Sequence, residues 1–228
     1  MEIARYLVAL GITSSLFGTF SEPLRWEWQT GYRHDELHWH VQASRGEDLK
    51  NLQFWENALV VCSIYRDIAI YAKAAGGYGK SGSTFDALGT FGYTVTLTPM
   101  RTYQVRLIPF FGCGANFEWL DHLMMKWFGP LIGGLFRFQP KESLQFEACY
   151  AYHWETLRFS AQHVKVHDGH NLAQSGWIRM DGIFPPYRVG VLAQIQYFSS
   201  RFIPISPDEI FKARWTAVSG AIVFSRRF

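Results

Sequence analysis

The chain has 228 residues, with 22 Lys and Arg against 19 Asp and Glu, a formal net charge of +3. Hydrophobic residues make up 48%, charged residues only 18%, and aromatic residues a high 17%. So aromatic a chain collapses rather than staying disordered. Its scattered Lys and Arg form no stripe for nucleic acid, and no apolar run of ~18 residues offers a transmembrane helix.

At the N-terminus, Arg5 precedes an apolar stretch from Tyr6 to Phe17, followed by Thr19 and Ser21. Charge, apolar stretch and small-residue site, in that order, mark a secretory signal, and the apolar part is too short to span a bilayer. Cleavage is expected after Ser21, giving a leader over 1–21 and a mature domain over 22–228.

From there the chain alternates with period two, the mark of strands that have one apolar and one polar face. Leu24, Trp26, Trp28 and Tyr32 alternate with Arg25, Glu27, Gln29 and Arg33. Weaker segments follow at Leu52–Tyr65 and Ile68–Gly79. The pattern then returns over Phe85–Leu97 and Tyr103–Trp119, weakens over Met124–Phe138, and is clearest from Leu144 to Thr156. There Phe146, Ala148, Tyr150, Tyr152 and Trp154 alternate with Gln145, Glu147, Cys149, Ala151, His153 and Glu155. Leu172–Phe184, Tyr187–Tyr197 and Lys212–Phe228 complete ten strands. Pro109 and Pro130 each remove a ladder donor inside a strand, so bulges are expected there.

Short turns are expected at Tyr65–Asp67, Thr98–Arg101, Gln139–Glu142 and Pro185–Pro186. Longer loops are expected at Glu36–Lys50, Gly79–Ser83, Glu118–Leu123, His163–His170 and Ser200–Phe211. Short on one rim and long on the other is the build of an antiparallel transmembrane β-barrel, with short periplasmic turns and longer outer loops. A soluble sandwich or ligand-binding barrel would bury the apolar face instead. Trp26, Trp28, Tyr103, Trp154, Tyr187 and Tyr197, apolar-face aromatics near strand ends, favour the membrane, where such residues form interfacial girdles.

The polar face then lines the lumen. It holds Arg25, Arg33, Lys73, Arg106, Arg137, Arg179 and Arg188 against Glu27, Asp35, Asp86, Glu118, Glu147, Glu155 and Asp181. Charges inside a narrow barrel must pair, because an unpaired buried charge is costly. These residues are therefore expected to form a structural, salt-bridged filling, with Trp127, Trp177, Trp215, Tyr71 and Phe110 adding bulk.

The C-terminus reads Val218 to Phe228 with Ile222, Phe224 and the final Phe228 in alternation. With the leader and the dyad strands, this resembles small bacterial outer-membrane β-barrels as a class. The resemblance implies that the outer-membrane assembly machinery reads the terminal strand. Arg226 departs from the pattern, standing where such strands carry an apolar residue. Ten strands also resemble the omptin-type proteases, which set an Asp pair and an Asp-x-His pair at the outer rim. Asp168-Gly169-His170 supplies the second pair, but no Asp-x-Asp occurs in the chain, so the attacking water lacks a full set of acid and base groups. An acyltransferase serine, Ser160 or Ser199 near His163, is singled out by nothing.

Other motifs read as structural. Cys62, Cys113 and Cys149 lie far apart without a CxxC, which rules against a zinc site. The histidines at 163–170 and at His34, His38 and His40 read as polar loops rather than metal sites. Gly76–Ser81 lacks phosphate-loop spacing and a following helix. No cofactor is expected. The expected function is structural, or adhesin- and receptor-like through the outer loops toward an extracellular partner. The alternative is a narrow pore.

Overall fold

The computed structural model describes residues 22–41, 46–80, 82–98, 103–120, 123–161, 164–202 and 211–227. The expected leader and Phe228 lie outside the described residues. The strands are β1 (Glu22–Val41), β2 (Gly46–Tyr65), β3 (Ile68–Gly79), β4 (Gly82–Tyr93), β5 (Val95–Thr98), β6 (Gln104–Leu120), β7 (Leu123–Lys141), β8 (Leu144–Ala161), β9 (Val164–Phe184), β10 (Tyr187–Phe202) and β11 (Phe211–Arg227). β4 and β5 are two pieces of one span, because both pair with β6 in one frame as far as Thr96, where the register then shifts by one residue. Every other pairing joins chain neighbours except β1 with β11, and all are antiparallel. The ring is closed: a ten-span antiparallel barrel.

Local chemistry sets the turns. Arg66 and Asp67 join β2 to β3 with φ of 46° and 70°. Two consecutive positive-φ residues make the turn whose twist matches a hairpin. The prolines act differently from expectation. Pro109 faces Gly134 of β7, and Pro130 faces Cys113 of β6, in an uninterrupted register, so neither makes a bulge between these strands. On its other side Pro109 lies where the β4–β5 span breaks. The proline nitrogen has no hydrogen to donate across that gap, and at the break the Thr94 N–H donates to the Asp67 carbonyl at 2.7 Å.

The expected long loops are shorter than the sequence suggests. β1 runs to Val41 and β2 starts at Gly46, so most of the segment Glu36–Lys50 continues the hairpin. His163–His170 falls largely within β9, and β10 and β11 extend into both ends of Ser200–Phe211. Polar side chains on strands that leave the membrane look like loop composition, and hydropathy alone does not separate the two. The wall is uneven: β1 and β2 have 20 residues each, while β3 and β4 have 12.

The period-two faces fall as expected. Trp26, Trp28, Tyr103, Trp154, Tyr187 and Tyr197 are all exposed on the outer surface, with Phe111, Ile132, Tyr150, Ile178 and Ile222 between the two rims. On β1 the outward apolar set runs from Leu24 to Tyr32. That is about 26 Å of strand at ~3.3 Å per residue, or roughly 20 Å of height at the ~35–45° tilt of barrel strands, somewhat below the ~25 Å apolar band of membrane barrels.

Beyond Tyr32 the outward face turns polar, and beyond Asp35 the inward face turns apolar, with no slip in register. Outward positions become polar: His34, Glu36 and His38 on β1, Asn51 and Gln53 on β2, and Thr216 and Arg214 on β11. Inward positions become apolar: Leu37, Leu52, Phe54, Trp215 and Ala217, all buried. Outside the lipid the outer face meets water and the inner face becomes a small core.

Candidate functional site: the lumen

Barrel closure brings the inward residues together in three levels. Nearest the short turns lies a charged level. Arg25 Nε meets Glu27 Oε1 at 2.7 Å, and the other Glu27 oxygen accepts from Arg179 Nη1 at 2.6 Å. Arg179 also holds Asp181 at 2.7 Å. A second chain runs from Arg106 to Glu22 at 3.3 Å, Glu22 to Arg137 at 3.0 Å, and Arg137 to Glu147 at 2.7 Å. Gln145 donates to Glu147 at 2.7 Å, and its carbonyl oxygen accepts from Arg188 at 3.0 Å.

Toward the long hairpins lies the second charged level, centred on Arg33. Its guanidinium bonds Asp35 at 2.8 Å, Asp86 at 2.7 Å, and Glu56 and Glu118 at 3.3 Å each. Lys73 adds to Glu56 at 3.8 Å, and Asn116 donates to Asp86. Above it sits the apolar level of Leu37, Leu52, Phe54, Met125, Trp127, Ala173, Phe198, Trp215 and Ala217. Trp215 stacks on both Trp127 and Phe198, at centroid distances of 4.8 and 4.6 Å, and Trp127 and Phe198 are tilted to each other at 5.3 Å. The Arg33 guanidinium lies 5.0 Å from the centre of the Trp215 ring, close enough for a cation–π contact.

Thirteen of the fourteen charged residues expected in the lumen are inside it and ion-paired or hydrogen-bonded. The Glu155 side chain lies outside the described residues. Two lumen carboxylates escaped the sequence reading: Glu22, at the expected cleavage boundary, and Glu56, in a weakly alternating segment. The charge is also less even than expected. Around Arg33, two cations (Arg33 and Lys73) face four carboxylates (Asp35, Glu56, Asp86 and Glu118). The turn-side level sets five arginines (Arg25, Arg106, Arg137, Arg179 and Arg188) against four carboxylates (Glu22, Glu27, Glu147 and Asp181). The apolar level was visible only in part, through Trp127 and Trp215. The inversion of pattern past Asp35 is the signal that locates the rest.

Between the two charged levels the lumen opens into a chamber of about 140 Å³. Tyr71, Phe110, Leu131, Ala151, Trp177 and Leu192 contribute to its walls. On one side His153 Nε2 and Ser175 Oγ form a hydrogen bond of 2.9 Å. The Asp168 and His170 side chains lie outside the described residues, as does His40. His34 and His38 are on the outer surface, His34 lying 3.8 Å from Glu36. Among the described residues no group of three or more His, Cys, Asp or Glu is arranged to hold a metal ion. The three cysteines are free thiols.

The fold is shared with bacterial outer-membrane barrels. The outer-membrane protease OmpT from Escherichia coli superposes with a TM-score of 0.60 over 92% of this chain and 98% of that one, at 9% identity. Neisserial surface protein A gives 0.44 at 4% identity, over 92% of this chain and 99% of that one. The outer membrane protein OprG from Pseudomonas aeruginosa gives 0.36 at 8%, over 92% and 99%. No family model and no curated protein matches the chain. Likeness at such identity is likeness of fold: a closed all-β barrel of the outer-membrane type.

Proposed function

We propose that this chain is a bacterial outer-membrane barrel whose lumen supports the wall rather than conducting, and whose extended hairpins are its working surface. The role is structural or receptor-like toward an extracellular partner. The observation that carries this reading is the stacking of the Arg33 level and the Trp127–Phe198–Trp215 level across one bore. Both are built from side chains of several strands, and moving either aside strands buried charge or exposes aromatic surface. The outward apolar belt opposes a soluble barrel. A narrow pore is the second reading, and the chamber between the charged levels favours it.

A protease reading has the OmpT fold in its favour and only half of the required residues. Asp168 and His170 have no Asp-x-Asp counterpart.

Fractionation combined with gel migration tests the membrane assignment. The protein is expected in the outer-membrane fraction, as a band that shifts on boiling and whose first residue is Glu22. Recovery in the soluble fraction contradicts the membrane assignment, whereas N-terminal sequencing that finds Met1 retained in the membrane band contradicts only the cleavage before Glu22. Deleting Phe228 is expected to lower the amount of heat-shifting band, because the terminal aromatic resembles the signal read by the assembly machinery. Undiminished insertion of the shortened chain removes that role from Phe228.

A further inference from the structure

We infer that the central chamber is a binding site for a small neutral aromatic molecule bearing one hydroxyl, of the size of phenol. Volume sets the size. The chamber is about 140 Å³, and a buried protein cavity of ~150 Å³ lined by apolar side chains takes up benzene without a permanent tunnel. A closed lumen is thus compatible with occupancy.

The lining sets the chemistry. Leu131, Ala151, Trp177 and Leu192 present apolar and aromatic surface to one volume, and ligand sites pair such walls with a few placed polar groups. Here the placed groups are His153 and Ser175. They are adjacent in space because Ser175 of β9 faces Ala151 of β8, two residues from His153 on the same inward face. The Ser175 hydroxyl carries one donor and two acceptor lone pairs. One of these is taken by His153 at 2.9 Å, which leaves capacity for one ligand hydroxyl.

Charge sets the neutrality. Arg25, Lys73, Asp86, Arg137, Glu147 and Arg179 border the chamber, and each is already bound to an opposite charge of its own level. A charged ligand would compete with these pairs for their partners, whereas a neutral ring leaves every pair in place. A neutral ring displaces only water from an apolar wall.

The test uses the refolded full barrel in detergent with 4-fluorophenol, followed by fluorine NMR. A saturable bound resonance, distinct from the micelle-averaged line, is expected. Ala151→Phe, which fills the chamber, is expected to abolish it, while the outward-facing Ala148→Phe leaves it intact. Ser175→Ala is expected to weaken 4-fluorophenol about threefold to tenfold, the loss of one hydrogen bond, and to leave fluorobenzene unchanged. Boiling-dependent gel migration verifies that each variant is folded. Absence of a saturable resonance overturns the proposal, as does its persistence in folded Ala151→Phe. Tighter binding of 4-fluorobenzoate than of 4-fluorophenol overturns the neutral assignment. Occupancy and conductance are separate readouts, so this site and the closed-lumen proposal fail independently.

Discussion

Replacing Arg33 by Met is expected to destabilise the folded barrel by about 3–5 kcal/mol, the loss seen when one partner is removed from a buried ion pair. Arg33 is the guanidinium that binds Asp35, Asp86 and Glu118, and its side chain is 2% exposed. Lys73 reaches only Glu56 of this group, at 3.8 Å. The substitution therefore strands carboxylates away from water. Urea unfolding in lipid vesicles, followed by tryptophan emission, measures the loss. Adding Asp86→Asn and Glu118→Gln to the Arg33→Met chain is expected to recover a large part of it, because contacting residues are not additive. A single-variant loss below about 1 kcal/mol shows that these contacts do not support the wall. So does a triple variant weaker than the single one.

The second large effect is on the opposite face. Ala148 lies on the outer surface, between Phe136 of β7 and Ile178 of β9. Both neighbours are exposed apolar residues at mid-strand. An arginine there must enter hydrocarbon, and Ala148→Arg is expected to cost ~2–4 kcal/mol if the position is at the bilayer midplane. The adjacent inward residue behaves differently. Glu147→Gln removes the charge that binds Arg137 at 2.7 Å and acts through the lumen network, not through lipid. Assembly of Ala148→Arg with wild-type stability in the same urea assay contradicts this orientation, since a slip of one residue exchanges every inward and outward side chain.

Which residues face inward was legible in the sequence, and which of them meet was not. Alternation along one strand assigns Arg25, Glu27 and Arg33 to the inner face without any tertiary information. The partners depend on closure. Arg33 reaches Glu118 across 85 positions, and Arg179 reaches Glu27 across 152. Those distances follow from the stagger with which ten spans close, a property of the whole ring. The apolar level was obscured for another reason. A single rule, apolar outward, holds only within the lipid. Past Asp35 the same alternation carries the opposite meaning, so Leu37, Leu52, Phe54 and Phe198 belong to the lumen. The chamber is a remainder left between levels, and no residue pattern encodes it directly.

The central claim is that the levels around Arg33 and Trp215 leave no open path through the barrel. Purified protein in a planar bilayer measures this directly. A ten-span barrel is little wider than the eight-strand kind that side chains fill, whereas open aqueous channels come with ~16–18 strands. The expected record is a quiet baseline with at most rare, small steps. Large, stable and strongly ion-selective single-channel currents would contradict the closed lumen and establish the pore in its place.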